Sequence, residues 1–381
     1  MRKYIPYGHQ YIDDDDINAV VEVLKSDYLT TGPKIAEFEK KFAEYVGVKY
    51  AVAVANGTAA LHVAMLAAGV GEGDEVITTP ITFAASANCA LYCGATPVFA
   101  DINPHTYNID VNDIEKKITS RTKVLVPVHF TGQPCDMDAI MEVAEKHNLM
   151  VIADGSHALG AKYKGNSVFQ YGDMVTCSFH PIKHITTGEG GIIVTDNEDL
   201  YKKLILFRTH GITRNEELLE ENHGPWYYEQ LELGYNYRMN DFQAALGISQ
   251  LDKADMFVKR RREIAKKYDE AFRDVPGITV PYQAEFGESG YHLYVIQVAS
   301  HRKEIFEALR AEGIGVNVNY IPIYTFPYYR RNGYGDVYLA NAQEYYEHTI
   351  SIPMYYGLTD EEQDYVIEKI IEENNRYYHE V

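Results

Sequence analysis

The first half of the chain alternates between short apolar runs and segments whose apolar residues recur at helical spacing. Residues 13–25 begin with four aspartates and then place apolar side chains on one helical face, and a second helix is predicted over about 35–46. The strand and helix pairs that follow are 50–54 with 57–68, 75–79 with 83–93, 97–101 with 111–118, 124–128 with 136–147, and a last strand at 150–154. This order predicts crossover units on a mostly parallel sheet.

The second half has a different pattern. Strand-like runs at 174–179 and 191–195 flank a Gly-rich turn instead of a helix, which predicts neighbouring strands joined locally. The polar stretch 211–235 lacks periodicity and is interpreted as a long loop. Helices over about 240–275 then lead to a strand at 291–298, a helix at 302–312, a strand at 315–320 and a last helix at 360–376. We therefore expect two α/β domains, residues 1–250 and 251–381.

Length and charge narrow the class of protein. A chain of 381 residues suits a large domain plus a smaller one. Its hydrophobic fraction of 46% and charged fraction of 24% are typical of a folded globular protein. The formal net charge of −20 repels phosphate backbones and anionic membranes, so neither nucleic acid nor a membrane surface is expected as a partner. An anionic ligand would need a local site.

The cysteines and the N-terminal segment give no sign of secretion or metal binding. Cys89, Cys93, Cys135 and Cys177 form no C-x-x-C pair and have no zinc-type spacing to histidine, so no metal is expected. The first residues lack the apolar run of a signal peptide, and no apolar stretch reaches the roughly 18 residues of a membrane span. We expect a cytoplasmic protein with reduced thiols.

In a parallel sheet, ligands bind at the carboxyl ends of the strands. Several candidate functional residues lie at these positions in the sequence. Asn56-Gly57-Thr58 follows the first sheet strand and opens a helix, where free N–H groups and a hydroxyl could hold a phosphate or form an ordinary N-cap. Asp154 ends an apolar strand, and a buried carboxylate there needs a partner. It could face a protonated heterocyclic nitrogen or cap the following turn.

A lysine is the third candidate, after the turn at Gly57 and the carboxylate of Asp154. Lys183 lies between a strand end and a Gly-rich turn, and a desolvated lysine can form a Schiff base with a carbonyl, although most lone lysines are surface residues. Pyridoxal phosphate (PLP) requires such a lysine, an acid at its pyridine nitrogen, a phosphate cradle and a flat residue on its ring. Phe83, which follows another strand, could be that flat residue.

At these residues the chain resembles the sugar-nucleotide aminotransferases of the DegT/DnrJ/EryC1/StrS family. The resemblance covers nearly the whole chain, from residues 28–33 (YLTTGP) through 56–61 (NGTAAL) and the Lys183 motif to 234–239 (GYNYRM). It implies the PLP-dependent type I fold of aspartate aminotransferase, an α/β fold in which a large, mostly parallel-sheet domain is followed by a smaller C-terminal α/β domain.

The resemblance also implies roles at the cofactor site. Lys183 would bind PLP as a Schiff base and move a proton in catalysis, and Asp154 would pair with the pyridinium nitrogen. Phe83 would stack on one ring face and His157 would lie on the other side. The phosphate would be held by Gly57, Thr58 and Ser178. Asn236 would reach the phosphate or substrate of the neighbouring subunit, so a homodimer is the expected active unit.

Within the family the chain is most similar to transaminases of pseudaminic acid biosynthesis, which aminate the 4-keto group of a UDP-linked 2-acetamido-2,6-dideoxy-hexos-4-ulose. The amino donor is expected to be L-glutamate, with pyridoxamine phosphate as the intermediate form of the cofactor. The implied substrate residues are Tyr7, Asp27, Tyr28, Leu29, Thr30, Gly57, Ser178, Asn236, Arg238, Asn319, Tyr320, Ile321 and Pro322. At Asn319 the family usually has histidine, which leaves the sugar specificity open.

Other functions share part of these features. Aminotransferases for another 4-keto or 3-keto sugar nucleotide, of bacillosamine or perosamine type, share the quoted motifs. In PLP-dependent sugar dehydratases a histidine replaces the lysine. Here the lysine position falls at Lys183 and His184 lies one residue beyond, which favours a transaminase. A non-catalytic PLP-binding sensor is disfavoured because no DNA-reading segment is present. A nicotinamide-dependent oxidoreductase is disfavoured because no G-x-G-x-x-G follows the first strand.

Overall fold

The structure, a computed structural model, describes residues 4–378. Most of the predicted α/β alternation is present in the first half of the chain. Its elements are α1 (Asp14–Leu24), α2 (Pro33–Val46), β1 (Tyr50–Val54), α3 (Gly57–Ala67), β2 (Glu75–Thr78), α4 (Ala85–Tyr92), β3 (Thr96–Phe99), α5 (Val111–Lys117), β4 (Thr122–Val126), α6 (Met137–His147), β5 (Met150–Asp154), β6 (Lys162–Tyr163), β7 (Asn166–Ser167), β8 (Met174–Ser178), β9 (Gly191–Thr195) and α7 (Glu198–Arg208).

The second half continues with shorter strands and long helices. Its elements are β10 (Ile212–Thr213), β11 (Glu229–Gln230), α8 (Asp241–Leu251), α9 (Ala254–Phe272), β12 (Ile278–Thr279), β13 (Gly287–Glu288), β14 (Tyr294–Val298), α10 (Arg302–Ala311), the single turn α11 (Pro327–Tyr329), α12 (Ala340–His348), β15 (Thr349–Ile352) and α13 (Asp360–Tyr378).

Seven strands form the central sheet in the order β1-β9-β8-β5-β4-β2-β3. The pairs from β3 to β8 are parallel, whereas β9 is antiparallel to both β8 and β1. This confirms the predicted local pair at 174–179 and 191–195. Because β9 is antiparallel to both of its neighbours, β1 runs in the same direction as β5 and β8. Their carboxyl ends, at residues 54, 154 and 178, therefore lie at one edge of the sheet.

The helix that follows β1 is buried and fixed by its cap. Asn56 has extended backbone, and its Oδ1 accepts a hydrogen bond of 2.8 Å from the N–H of Ala59. Nearly every side chain of α3 is buried, including His62 and Met65, because the helix packs on the sheet beside α4 and α7. An apolar helix of this kind has no solvent face, so its N-terminus is held rigidly beside the sheet edge.

A second core lies in the C-terminal part. The antiparallel strands β12, β14 and β15 pack with α9, α10 and α13 around buried residues such as Tyr268, Ile296 and Val366. Ile5, near the N-terminus, joins this core and bridges to Ile314. We propose that the two units divide near residue 250, between α8 and α9.

Two predictions of secondary structure differ from the structure. The predicted strand at 315–320 is wrong, because this segment makes only one isolated bridge, between Asn317 and Ser351, before it turns at Pro322. The strands that pair with β14 are β12 and β15, and neither of them was predicted. The stretch 211–235 is largely irregular as predicted, although Ile212–Thr213 pairs with Glu229–Gln230 in a two-residue ladder.

Candidate active site

A cavity of about 930 Å³ opens at the carboxyl edge of the central sheet. It is lined by the N-terminus of α3, the end of β5, the segment after β8, and Tyr320 from the C-terminal part. The predicted residues that the structure brings together there are Gly57, Thr58, Phe83, Asp154, His157, Ser178, Lys183 and Tyr320. The candidate chemistry of three separate strand ends thus meets in one cavity.

At the start of α3 a close approach of backbone and side chain requires glycine. A Cβ on Gly57 would lie 2.8 Å from Cβ of Ser178 and 3.1 Å from its hydroxyl oxygen. On the other side, a Cβ on Gly191 would lie 2.4 Å from the carbonyl oxygen of Asn56. The first turn of α3 also lines the cavity, where its N–H groups and the hydroxyls of Thr58 and Ser178 could meet a ligand.

Asp154 is almost fully buried and is held by two donors. The Ser86 hydroxyl donates to its Oδ2 at 2.8 Å, and the backbone N–H of Ser156 donates to its Oδ1 at 3.0 Å. Ser86 in turn is hydrogen-bonded to the Thr82 hydroxyl at 3.0 Å. These partners fix the carboxylate at the end of β5 with one edge toward the cavity, where a protonated nitrogen could meet it.

Lys183 is positioned by a closed loop. The N–H groups of Phe179 and Thr187 donate to the carbonyls of Gly190 and Phe179, at 2.9 Å and 3.0 Å, and Lys183 N–H donates to the His180 carbonyl at 2.9 Å. The return of the loop needs glycine, since Gly188 has φ of +79° and a Cβ on Gly190 would overlap the Thr187 hydroxyl. The loop thereby directs the lysine side chain into the cavity wall.

The environment makes the Lys183 amine easier to deprotonate. Burial lowers its pKa from 10.5 to about 8, with a smaller contribution from the nearby Arg261 guanidinium. The charges of Asp154 and Cys177 act in the opposite direction. A pKa near neutrality leaves a usable fraction of neutral amine, which is the nucleophilic form.

His157 lies in the cavity wall beside the ring of Tyr320. Its Nε2 is 3.3 Å from the Tyr320 hydroxyl, and the two rings are nearly parallel, with centroids 6.1 Å apart. Burial, then the charges of Lys183 and His184, hold its pKa well below the ordinary value, so the ring is neutral. Its Nδ1 has no hydrogen-bond partner among residues 4–378.

Several residues implied by the resemblance lie outside this cavity wall. The segment Asp27, Tyr28, Leu29 and Thr30 is exposed next to the N-terminus of α8, where the Leu29 carbonyl accepts from Asp241 N–H. Asn319 is buried behind Tyr320, and Tyr7 packs nearby in the same apolar cluster as Tyr320. Ile321 is exposed and Pro322 is buried. Asn236 is exposed, and neither it nor Arg238 lines the cavity.

Sequence reasoning missed two parts of the cavity. Ser86, the partner of Asp154, is three residues beyond Phe83 and carries no motif of its own. The second part is an aromatic cluster beside α3, made by His62, Tyr92, Tyr235 and Tyr237, with ring centroids of His62 and Tyr235 4.7 Å apart. The alternation of Tyr235 and Tyr237 in the GYNYRM motif was the available signal for it.

The site fits PLP on its own geometry. The open turn at Gly57 would hold the phosphate, the fixed carboxylate of Asp154 would face the ring nitrogen, and the Lys183 amine would attach to the aldehyde. Phe83 is 62% exposed beside the cavity, 6.5 Å from the Tyr320 ring, and thus offers a flat surface with room above it. When bound, PLP supplies an electron sink for the carbanion formed at the carbon bearing the amino group.

Comparison with known proteins identifies the family. The DegT/DnrJ/EryC1/StrS aminotransferase family matches residues 10–371, and the chain belongs to this family. Enzymes of this family are PLP-dependent and aminate nucleotide-linked sugars, and the protein is accordingly a PLP-dependent sugar-nucleotide aminotransferase with the type I fold.

Individual relatives cover almost the full chain. The spore coat polysaccharide biosynthesis protein SpsC of Bacillus subtilis is 44% identical over 374 residues, 96% of each chain. The UDP-4-amino-4,6-dideoxy-N-acetyl-beta-L-altrosamine transaminase of Campylobacter jejuni is 41% identical over 92% of each chain. Helicobacter pylori PseC, an aminotransferase of pseudaminic acid biosynthesis, has a solved structure that matches with a TM-score of 0.92 and 35% identity, covering 98% of this chain and all of that one.

A relative with a different sugar is also similar. The GDP-perosamine synthase of Caulobacter vibrioides is 38% identical over 93% of this chain and 94% of its own. Family membership therefore establishes the reaction type but does not distinguish between these sugars. Within the described range, 4–378, no helix is both long and apolar enough to cross a membrane.

Proposed function

We propose that the cavity catalyses amino transfer from L-glutamate to a UDP-linked 4-keto-6-deoxy sugar, with Lys183 as the residue that binds PLP. The observation that carries this proposal is the meeting of Lys183, Asp154 and the open turn at Gly57 in one cavity. Burial gives Lys183 a pKa of about 8, so its amine can act as a nucleophile and later accept a proton.

The remaining residues of the site would orient PLP and stabilise the charge that develops on its ring. Asp154, held by Ser86 and Ser156, keeps the facing ring nitrogen protonated and so increases the capacity of the ring for negative charge. Ser178, Gly57 and Thr58 retain the phosphate. His157 stays neutral and presents an unsatisfied Nδ1, so it can make a hydrogen bond without adding charge. Phe83 would offer its flat face to the ring, and Tyr320 would border the ring beside His157.

We propose that the active unit is a homodimer in which each site is completed by the partner. Tyr235 and Tyr237 line the cavity of their own chain, whereas the alternating residues Asn236 and Arg238 do not. Successive residues of an extended segment point to opposite sides. Asn236 and Arg238 are thus directed away from their own cavity, as expected for residues that serve a neighbouring site. In a chain of charge −20, Arg238 would supply a local cation for the substrate diphosphate.

The proposed sugar is UDP-2-acetamido-2,6-dideoxy-beta-L-arabino-hex-4-ulose, and the product is UDP-4-amino-4,6-dideoxy-N-acetyl-beta-L-altrosamine. The similarity to the Campylobacter jejuni transaminase and to PseC supports this choice. A GDP-linked sugar of perosamine type is the second candidate, supported by the similarity to the Caulobacter vibrioides enzyme. The four cysteines are free, which supports the expectation of a reducing, cytoplasmic location.

A substrate panel tests the proposal. The purified enzyme with PLP and L-glutamate is given three nucleotide sugars: the UDP-linked L-arabino 4-ketose, its D-xylo counterpart of bacillosamine type, and GDP-4-keto-6-deoxymannose. We expect kcat/KM for the first to exceed the others by at least about a hundredfold. A preference for either of the others would assign that sugar instead, and activity with none of them would overturn the proposal.

A further inference from the structure

A buried histidine that does not line the cavity lies behind its wall, next to Lys183. His292 Nε2 is 3.4 Å from Nζ of Lys183, although the two residues are 109 positions apart in the chain. The His292 side chain is 2% exposed, and its ring centroid lies 4.3 Å from that of His157 and 5.8 Å from that of His184. None of the sequence motifs pointed to it.

His292 is held from behind by a buried arginine. Nη1 of Arg261, on α9, donates hydrogen bonds to the carbonyls of Tyr291, His292 and Met354 at 3.0–3.1 Å. These three bonds fix the backbone that carries the imidazole. Because Arg261 is 2% exposed, water offers no substitute for these carbonyls as its partners.

The same surroundings keep the imidazole neutral. Burial first, then the charges of Lys183, His157, His184 and Arg261, hold the pKa of His292 well below its ordinary value. A neutral imidazole has one acceptor nitrogen, and a lysine amine or ammonium group only has to rotate to donate to it. Its Nδ1 has no hydrogen-bond partner within the described chain. Among residues 4–378, the Nε2 contact with Lys183 is therefore the one hydrogen-bond contact of this ring.

We propose that His292, fixed by Arg261, is a positioning residue that accepts a hydrogen bond from the Lys183 amine and holds it at the cavity wall whenever it is not joined to the cofactor. Over a full cycle of transamination the lysine is released in the first half-reaction and is recaptured in the second. A tethered amine returns to the same place, whereas a free four-carbon side chain must search its rotamers. This inference rests on the proposed role of Lys183.

The attachment of PLP to the cofactor-free, full-length protein tests this role without measuring turnover. The rate of appearance of the absorbance of lysine-bound PLP is followed by stopped flow from pH 6 to pH 10. Reduction with borohydride and peptide mass mapping then identify the modified lysine. Two variants with amide side chains form a matched pair: His292→Gln carries its amide at the level of Nε2, and His292→Asn at the level of Nδ1. His292→Phe keeps a ring and removes both nitrogens.

In the wild-type protein the rate should rise with pH around a midpoint of about 8. We expect His292→Phe and His292→Asn to attach PLP roughly tenfold more slowly or worse, and His292→Gln to remain within about threefold of wild type. The midpoint should move to lower pH in His292→Phe, because a hydrogen-bond acceptor favours the ammonium form and its loss favours the neutral amine. The charged and titratable groups that face the pair, Asp154, Cys177, His157, His184 and Arg261, are unchanged in all three variants.

Different results would overturn the role of His292 and the role of Lys183. Equal rates and midpoints in all variants, or losses that follow only their thermal stability, would overturn the role of His292 while leaving Lys183 in place. Modification of a lysine other than Lys183 in the wild-type protein would instead overturn the proposed role of Lys183.

Discussion

The Ser86 hydroxyl donates a hydrogen bond of 2.8 Å to Oδ2 of Asp154, across 68 positions of sequence. It is one of two donors that hold this buried carboxylate. Replacing Ser86 with alanine removes a hydrogen bond to a charged group, so we expect L-glutamate to convert bound PLP roughly tenfold more slowly. Single-turnover absorbance measures this rate. Ser249→Ala is the matched control, since Ser249 donates a similar bond of 2.6 Å to Asp16 outside the cavity. An unchanged rate in Ser86→Ala would show that Ser86 has no part in holding Asp154.

The close contact between Gly57, at the start of α3, and Ser178 predicts that a larger side chain at position 57 weakens the binding of PLP. A methyl group at position 57 would lie 2.8 Å from Cβ of Ser178, so Gly57→Ala must displace either β8 or the first turn of α3. We expect its affinity for PLP to fall by at least about tenfold, as measured by equilibrium dialysis. Gly71→Ala is the control, because no atom lies within 4 Å of the added methyl. Equal affinities in the two variants would refute the proposed cradle.

The lowered pKa of Lys183 predicts how stability depends on pH. The folded amine has a pKa of about 8 and the unfolded one about 10.5, so between these values the unfolded chain binds more protons. The free energy of unfolding of the cofactor-free protein should therefore rise with pH across this window, by at most about 3 kcal/mol. Lys183→Met should lack this rise. Urea denaturation of both proteins at pH 7.5 and pH 10.5 measures the difference, and parallel changes would contradict it.

Shared sites predict complementation between inactive variants. Lys183→Ala and Asn236→Ala each inactivate every site in a homodimer of identical chains. A mixed dimer has one site with both an intact Lys183 and the partner subunit's Asn236. Unfolding and refolding the two variants together should therefore restore about one quarter of wild-type activity. No recovery, in a mixture that forms mixed dimers by mass spectrometry, would show that Asn236 serves its own chain.

Much of the fold was predictable because its signals are local. The strand ends at Val54, Asp154 and Ser178 follow from apolar runs, and the parallel crossovers bring these ends to one edge of the sheet. The wrong strand at 315–320 also had a β-like local pattern. One edge of β14 is paired with β15, a four-residue strand that follows α12 directly and is too short to stand out from the sequence.

The parts of the site that were missed depend on partners that are distant in sequence. Ser86 and His292 become informative only once Asp154 and Lys183 are placed beside them in space. The local sequence around each of these residues looks the same as that around an ordinary buried polar side chain. Conversely, Asn236 and Arg238 belong to a motif visible in the sequence, yet a single chain does not bring them to its own cavity.

The most direct test of the account is the absorbance of the purified protein with PLP before and after addition of L-glutamate. We expect a band of lysine-bound PLP that L-glutamate converts to the pyridoxamine phosphate form, with one 2-oxoglutarate released per site. The band should be absent in Lys183→Ala. A wild-type band that responds to no amino donor, or an equally strong band in Lys183→Ala, would contradict the assignment of this cavity as a transaminase site.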